Sequence, residues 1–349
     1  MIKNRLIALL AAVGMISTVS ACGGSDGPAN GKDGLTDFPL GVFSGEIYIL
    51  DYVAKEKGYF EDNGLNVTFL APSQGGGAAN TFFLAGTLKG WPGNPSTIMI
   101  DMSKGEDIQI AGWLDNWISF AVQVPADSEL AGLKDKPFDE KMKALKGKKI
   151  GLTGVGSLVN QSLVAGLKAS GVSEKDVQVL AVGPPDAGIA QLETGRIDAY
   201  ATYSRTDAAV LSEQAGSTEY VSLTGDEAPE QIRAYSSWAL PVLSSFAKKN
   251  PEAVEGYVAA QKEAYAWVKD NIDEAAKILS DEVYDGKFVD IITEALNDIF
   301  SAPQPNDFKV TPEAWNNLAE LMQDQGQLPK GAEAKLVYDD VVRKDASVR

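Results

Sequence analysis

The chain has 349 residues, a formal net charge of −17, one cysteine and no histidine. The excess of negative charge argues against binding to nucleic acid and against electrostatic docking onto anionic lipid. The lack of histidine excludes a Ser-His-Asp triad, and a single cysteine offers no partner for a cysteine–histidine metal cluster. We therefore predict no catalytic residue, no metal site and no cofactor. The composition favours binding of a small molecule over its conversion.

The N-terminal segment has the order of an export signal. Two basic residues precede an apolar run over 6–19, which is shorter than the roughly 20 residues that span a bilayer. Two small residues then lead to Cys22. This order resembles the lipobox of bacterial lipoproteins, in which the cysteine becomes the lipidated N-terminus. We predict a signal peptide over 1–21 and a lipid anchor at Cys22 on the outer face of the cytoplasmic membrane. A plain secretory signal with a chance cysteine is the alternative.

A stretch rich in glycine and polar residues, "GGSDGPANGKDG", follows the cysteine. It has no apolar periodicity, so we predict a flexible tether over 22–36. Folded sequence is expected from residue 37, and a folded part of this size usually forms two domains.

Strand and helix patterns alternate twice along the folded part. The strand-like stretches "FPLGVF" and "GLNVTFLA" flank a helical one, and "KKIGLT", "VQVLAV" and "IDAYATYS" repeat the pattern further on. Such alternation predicts an α/β fold with parallel sheets built from βαβ units. We predict two lobes around a ligand cleft, one formed by 37–124 plus 240–349 and the other by 125–239. Two crossover segments, near 121–125 and 235–241, would join them.

Loops at the strand ends supply the candidate ligand-binding residues, since ligands of open parallel sheets bind there. Several glycines also start helices, where free amides suit an acceptor group, although ordinary helix capping explains any single loop equally well. The predicted site contains Phe43, Ser44, Gly45, Glu46, Gly76, Gly77, Asn94, Trp113, Gly154, Gly156, Ser157, Asp186, Tyr203, Arg205 and Trp238.

The charged and aromatic residues of these loops indicate which chemical class of ligand the cleft binds. Arg205 follows a strand end, whereas 37–124 contains no arginine. It is therefore the best fixed positive charge for an anion, unless it pairs with Asp207 or Glu213. Trp113 and Tyr203 offer flat faces for a planar ligand. We favour a planar or aromatic organic solute with an acidic or hydrogen-bonding end over a compact inorganic anion or a small aliphatic sulfonate.

Four segments carry a family resemblance: "GEIYILDYVAKEKGYFEDNGLNVTF", "LKGKKIGLTGVGS", "SEKDVQVLAVGPPDAGIAQLETGRIDAYATYS" and "NPEAVEGYVAAQKEAYAWVKDNIDEAAKIL". They resemble substrate-binding proteins of nitrate, sulfonate and taurine import systems, a group that includes THI5/NMT1-like pyrimidine binders. The resemblance runs from Phe38 to Gly326. It implies a type II periplasmic-binding-protein fold and a monomer that delivers a small solute to the permease of an ABC importer.

Carried onto this sequence, the family's cleft positions fall at Ser44 and Gly45, near Gly76, and at 154–157 and 203–205. The sequence departs from the family at "KGWPGNPST", where a strand is usual, because two prolines disfavour a regular central strand. The sequence therefore does not predict which residues near that stretch form the floor of the pocket. An enzyme on the same fold, such as one that makes a pyrimidine precursor, is the alternative function, although the known pyrimidine synthases of this family rely on histidine.

Overall fold

The computed structural model describes residues 34–72, 76–115, 117–233, 236–301, 308–324 and 326–342. The predicted signal peptide, Cys22 and almost all of the predicted tether lie outside these ranges. Within them, no helix combines the length and the apolar character that crossing a bilayer requires.

The first lobe contains two pairs of strands. Strand β1 (Thr36–Gly41) runs parallel to β2 (Leu65–Leu70), and β3 (Ile108–Leu114) runs antiparallel to β9 (Trp238–Leu243). Buried and exposed residues alternate along the start of β2, as expected for a strand with one face on a core. Both pairs belong to the same lobe because residues 85–94 connect them.

That connecting stretch contains Pro92, and the second proline of the sequence motif, Pro95, begins the following helix. Gly90 forms an isolated parallel bridge with Leu40, and Gly93 forms an antiparallel bridge with Ala239. The stretch thus lies between β1 and β9 without forming a regular strand. Proline cannot donate a backbone hydrogen bond to a ladder, which accounts for the interruption.

The second lobe contains a sheet of five strands: β4 (Ala121–Pro125), β5 (Lys149–Leu152), β6 (Gln178–Ala181), β7 (Ala199–Thr202) and β8 (Ser217–Ser222). Their order in the sheet is β6-β5-β7-β4-β8. Strand β5 runs parallel to β6 and β7, whereas β4 runs antiparallel to both of its neighbours.

Helices cover both lobes. Those that precede β3 are α1 (Ile49–Glu56), α2 (Tyr59–Asp62), α3 (Gly76–Leu84) and α4 (Pro95–Lys104). Those of the five-stranded lobe are α5 (Phe138–Ala144), α6 (Leu158–Ala169), α7 (Pro185–Glu193), α8 (Arg205–Ala215) and α9 (Glu230–Arg233). The C-terminal helices are α10 (Ser244–Lys249), α11 (Pro251–Asp270), α12 (Ile272–Val283), α13 (Val289–Ser301), α14 (Pro312–Asp324) and α15 (Tyr338–Val341).

The C-terminal helices return to the first lobe. Helices α11 and α12 pack against α1, while α13 packs against α12 and also contacts α8 of the second lobe. Gly256 of α11 allows a close approach, because a Cβ atom there would lie 2.2 Å from the carbonyl oxygen of Asn63. The C-terminal part therefore supports the first lobe and touches the second.

Both segments that were predicted as crossovers contain strand residues. Residues 121–125 form strand β4, whose partners β7 and β8 belong to the second lobe. Strand β9 begins at Trp238 and pairs with β3 of the first lobe. We propose that the segments between β3 and β4 and between β8 and β9 connect the lobes. We propose that the second lobe begins before Ala121 and ends before Trp238.

Candidate functional site

A cavity of about 530 Å³ lies between the two lobes. The first lobe contributes residues from the loop after β1, from α3 and from α4, and the second contributes the loop after β5 and the start of α6. Residues that line the cavity include Phe43, Tyr48, Gly76, Gly77, Asn80, Trp91, Ile100, Asp101, Lys104, Ile118, Phe120, Thr153, Gly156, Ser157, Val159, Asn160, Gln161, Tyr203 and Trp238.

Aromatic side chains form much of the cavity wall. Trp238 packs edge-on against Tyr48 with ring centroids 5.4 Å apart, and Phe43 lies 6.0 Å from the same tyrosine ring. Trp91 and Phe120 complete the aromatic wall. Flat apolar faces of this kind suit a planar or apolar ligand.

The N-terminal turn of α6 supplies polar groups to the cavity. The backbone nitrogen of Gly156 donates to Oδ1 of Asn160 over 2.8 Å, which leaves the Nδ2 donor of Asn160 for another partner. Neither this Nδ2 atom nor the Oγ atom of Ser157 has a hydrogen-bond partner within the described residues, and both atoms are buried. Buried polar atoms are nearly always hydrogen-bonded, so these two are candidate ligand contacts.

Charged groups at the cavity largely pair with each other. Asp101 accepts a hydrogen bond of 2.7 Å from Nδ2 of Asn80 and lies 3.6 Å from Nζ of Lys104. Lys104 is the sole basic side chain among the described residues that line the cavity, and its side chain is 65 % exposed. The cavity therefore holds no buried positive charge among these residues.

On one side of the cavity, the loop after β1 contacts the start of α8. Ser44 Oγ and Tyr203 Oη share a hydrogen bond of 2.9 Å. The carboxylate of Glu46 accepts the backbone amides of Arg205 (2.6 Å) and Thr206 (3.1 Å). These contacts join the two lobes at this side.

Gly45 is required for that contact. Its φ angle is +100°, in the region that favours glycine, and a Cβ atom there would lie 3.1 Å from both Cβ and Oγ of Ser204. A side chain at this position would be strained and would press on the second lobe.

Helices α4 and α6 join the lobes at a second place. Ser96 Oγ donates to Oε1 of Gln161 over 2.7 Å, and Nε2 of Gln161 donates to Oγ1 of Thr97 over 3.0 Å. Together with the contact at α8, these hydrogen bonds hold the two lobes against each other around the cavity.

The buried carboxyl group of Asp207 lies next to the contact between the loop after β1 and the start of α8. Burial and then the charge of Glu46 raise the pKa of Asp207 to about 7, while hydrogen bonds from neighbouring side chains oppose the rise. One of them is donated by Tyr284 Oη to Oδ1 of Asp207 over 3.1 Å. Two acidic side chains thus lie close together where the lobes meet.

The structure brings ten of the fifteen predicted residues to the cleft. Phe43, Gly76, Gly77, Gly156, Ser157, Tyr203 and Trp238 line the cavity. Ser44 lines a neighbouring cavity of about 260 Å³ that shares Phe43 and Tyr203 with the first. Gly45 and Glu46 form the contact between the lobes rather than a surface of either cavity.

Trp113 does not lie at the cleft, which corrects the prediction made for it. It is 3 % exposed within strand β3 and packs against Trp315, with ring centroids 6.3 Å apart. Its Nε1 atom donates to Asp115. Residue 113 was expected in a loop or at a strand end, and the pairing of β3 with β9 extends past it to Leu114.

Arg205 also differs from its predicted role. Its Nε atom lies 3.7 Å from the carboxylate of Asp298 on α13, and Arg205 does not line either cavity. The predicted alternative was a salt bridge to Asp207 or Glu213. The structure contains a salt bridge of Arg205, but its partner is Asp298. Helix α13 is distant in sequence, so no local pattern could indicate it.

Three further predicted residues have local structural roles. Asn94 is fully buried and caps α4 by accepting the backbone amide of Ser96. The carbonyl of Gly154 accepts the backbone amide of Ser157. Asp186 is exposed in the first turn of α7. Helix capping was the alternative role predicted for such loops, and Asn94 has this role.

Several cavity residues were absent from the prediction. Tyr48, Trp91, Phe120, Asn160 and Gln161 line the cavity, and Asn160 and Gln161 lie within helix α6. Asn160 could have been found, because its position four residues after Gly156 lets its side chain return to that glycine's amide. The aromatic residues carry no comparable local signal.

The fold is that of the type II periplasmic binding proteins, with two α/β lobes around a cleft. The alkanesulfonate-binding protein SsuA from Xanthomonas axonopodis pv. citri, solved with MOPS bound, superposes with a TM-score of 0.68 at 16 % identity over 88 % of this chain and 98 % of its own. The nitrate-binding protein NrtA from Synechocystis PCC 6803 gives a TM-score of 0.64 at 16 % identity, and the match covers 89 % of this chain and 87 % of NrtA.

Sequence comparison defines the family. A profile described as NMT1/THI5 like matches residues 48–275. A putative aliphatic sulfonates-binding protein of Bacillus subtilis is 27 % identical over 312 residues, which cover 86 % of this chain and 85 % of that protein. The nitrate/nitrite binding protein NrtA of Synechococcus elongatus is 29 % identical over 120 residues, 34 % of this chain and 26 % of that relative's length. The chain belongs to the NMT1/THI5-like family.

Proposed function

We propose that this protein is the solute-binding component of an ABC importer and that it captures a small organic solute of planar or aromatic character. The observation that carries the proposal is the cavity of about 530 Å³ between the lobes, with its aromatic wall and few polar groups. Ligand sites pair apolar walls with a few placed polar groups in this way. The proposal assigns no catalytic residue and no cofactor to the chain.

The comparisons support the importer role. The relatives and structural neighbours are named for binding nitrate, nitrite, sulfonates or alkanesulfonates. A binding protein of an importer must release its solute to a permease, so the partner would be the permease subunits. Nothing in the acidic chain suits a nucleic acid, and we propose that the protein acts as a monomer.

We further propose an extracytoplasmic location with lipid on Cys22. The order of basic residues, apolar run and small residues before the cysteine supports it. The glycine-rich stretch after the cysteine would separate the folded lobes from the membrane.

The proposed lobes would open and close around the solute. Hydrogen bonds such as Ser44–Tyr203 and Ser96–Gln161 would form as the lobes approach, and the two connections would act as the hinge. Solute capture would then lower the radius of gyration of the protein in solution.

A thermal-shift screen of the purified chain tests the function. The panel contains nitrate, taurine, alkanesulfonates, pyrimidines, flavins, aromatic acids and the amides of those acids. We expect at least one planar organic compound to raise the melting temperature in a saturable manner, because a ligand in excess stabilises the folded state by mass action.

Two controls complete the screen. Asn160→Ala should weaken the binding of the compound while the exposed Asn66→Ala variant binds normally. Mass spectrometry of the recovered compound should find it unchanged. Conversion of the compound would favour the enzyme alternative, and equal binding by Asn160→Ala would place the site elsewhere.

A further inference from the structure

The N-terminus of α8, where the two lobes meet, is one of the helix starts near the cleft at which an anion would be expected. Free amides and the helix dipole favour negative charge at such a position. Here Glu46 accepts the first two amides of the helix, those of Arg205 and Thr206, and Oγ of Ser204 accepts the third, from Asp207, over 2.9 Å. A carboxylate of the protein itself therefore occupies the position.

The surroundings add negative rather than positive charge. Glu46 is fully buried and Asp207 is 2 % exposed. The guanidinium group of Arg205 lies beside Asp298 on the far helix α13, with its Nε atom 3.7 Å from the carboxylate. An anionic ligand brought to α8 would meet two buried acidic side chains there.

The cavity itself offers neutral donors. Nδ2 of Asn160 and Oγ of Ser157 are buried there without partners among the described residues, and Asn160 is only 5 % exposed. The lysine at the edge, Lys104, already lies near Asp101. Neutral donors beside aromatic faces match a ligand with carbonyl or ring-nitrogen acceptors and no net charge.

We infer that Glu46 is a specificity-determining residue. By occupying the amides of α8, it keeps compact anions such as nitrate and alkanesulfonates from this helix start and favours an uncharged, acceptor-bearing solute. The inference rests on the proposed solute-binding function and sets this chain apart from the relatives that are named for those anions.

The test uses nitrate and methanesulfonate as probes, measured by thermal shift against sodium chloride at equal ionic strength. Wild type should respond to neither, with shifts below about 1 °C. Glu46→Ala should melt several degrees lower, because two charge-assisted hydrogen bonds are lost. Either probe should then restore at least about half of that loss in a saturable manner, by binding at the exposed amides.

Two matched variants test whether rescue by the probes depends on removing the acceptor oxygens of residue 46. Glu46→Gln keeps the side-chain volume and an acceptor oxygen, so the probes should not rescue it. Glu61→Ala removes an exposed carboxylate of the same lobe and should behave as wild type. If Glu46→Ala does not fold, the response of wild type alone still tests whether the probes are excluded.

The outcomes are decisive for Glu46. Saturable stabilisation of wild type by nitrate or methanesulfonate would overturn the inference, and so would a folded Glu46→Ala variant that neither probe rescues. These measurements do not depend on an organic ligand. Failure of the solute screen would therefore count against the proposed function, whereas the probe experiment would still report on the α8 amides.

Discussion

Oε1 of Glu46 lies 2.6 Å from the backbone nitrogen of Arg205, a residue 159 positions later in the chain. Both residues were predicted to contact ligand, and the structure instead makes them contact each other. The carboxylate stabilises the N-terminus of a helix in the opposite lobe, as an acidic side chain does at a helix start. The first lobe thus contributes to the second lobe's helix whenever the cleft has this geometry.

Gly45 should be sensitive to substitution in a way that another left-handed glycine is not. Gly45→Ala and Gly58→Ala each place a side chain at positive φ, which costs about 1–2 kcal/mol. Only at residue 45 would the new Cβ also press on Ser204, at 3.1 Å, whereas nothing lies within 4 Å at residue 58. Urea unfolding should show a larger loss for Gly45→Ala, and solute titration should show weaker binding for that variant alone. Equal behaviour of the two variants would contradict the contact.

The Ser44–Tyr203 hydrogen bond should contribute to closure. In a double-mutant cycle, Ser44→Ala and Tyr203→Phe should show a coupling energy of about 1 kcal/mol in the binding free energy of the solute. Neither substitution removes the aromatic face of residue 203, so any loss reports on the hydroxyl pair. Additive effects, with no coupling, would mean that the bond does not form in the loaded protein.

Trp113 should matter for stability and not for binding. Trp113→Ala removes a buried indole from its packing against Trp315, and we expect a loss of about 3–5 kcal/mol in the free energy of unfolding. The solute dissociation constant of the folded variant should stay within about twofold of wild type, because residue 113 lies outside the cavity lining. Calorimetric titration below the melting transition measures it. A large loss of affinity would restore the prediction that Trp113 contacts ligand.

The stability of the protein should fall as the pH rises from about 4 to about 7. Burial raises the pKa values of Asp51 and Asp207 to about 7 from 3.8. Between these pH values the folded protein keeps protons that the unfolded chain releases, so raising the pH favours unfolding, and the full loss is reached above about pH 7.

Thermal melts across this range measure the effect. The melting temperature should be higher near pH 5.5 than near pH 8, and Asp207→Asn should reduce the difference because the amide does not titrate. Groups that face Asp207 include Glu46, Tyr203 and Tyr284, which all remain in this variant. A melting temperature that rises with pH, or a slope unchanged in Asp207→Asn, would be inconsistent with these shifts.

Cys22→Ser should release the protein from the membrane if the cysteine carries lipid. Fractionation of cells that express each form should find wild type with the membrane and the variant in the soluble fraction. The purified variant should melt at the same temperature as the lipid-free wild-type lobes, because residue 22 lies outside the predicted folded part. A variant that stays with the membrane would refute the lipid anchor.

The order of strands and helices could be predicted from the sequence because it depends on local patterns. Apolar periodicity marked α1 and α6, and short apolar stretches bounded by glycine marked β2 and β5. The prolines near Trp91 indicated an interrupted strand, and the isolated bridges at Gly90 and Gly93 confirm it. Glycines 76, 77 and 156 were placed at the cleft for the same reason, since loops that follow parallel strands meet at one edge.

The roles of charged and aromatic side chains depended on contacts between distant residues. Arg205 could be recognised as a fixed charge near a strand end, but only the packing of α13 against α8 gave it Asp298 as a partner. Trp113 and Trp238 lie in paired strands of one sheet, yet only Trp238 lines the cavity. Sequence determined the fold class and the loops that could bind, because secondary structure follows short-range periodicity. Tertiary structure decided which side chains those loops present, because burial and charge pairing are set by residues far apart in the chain.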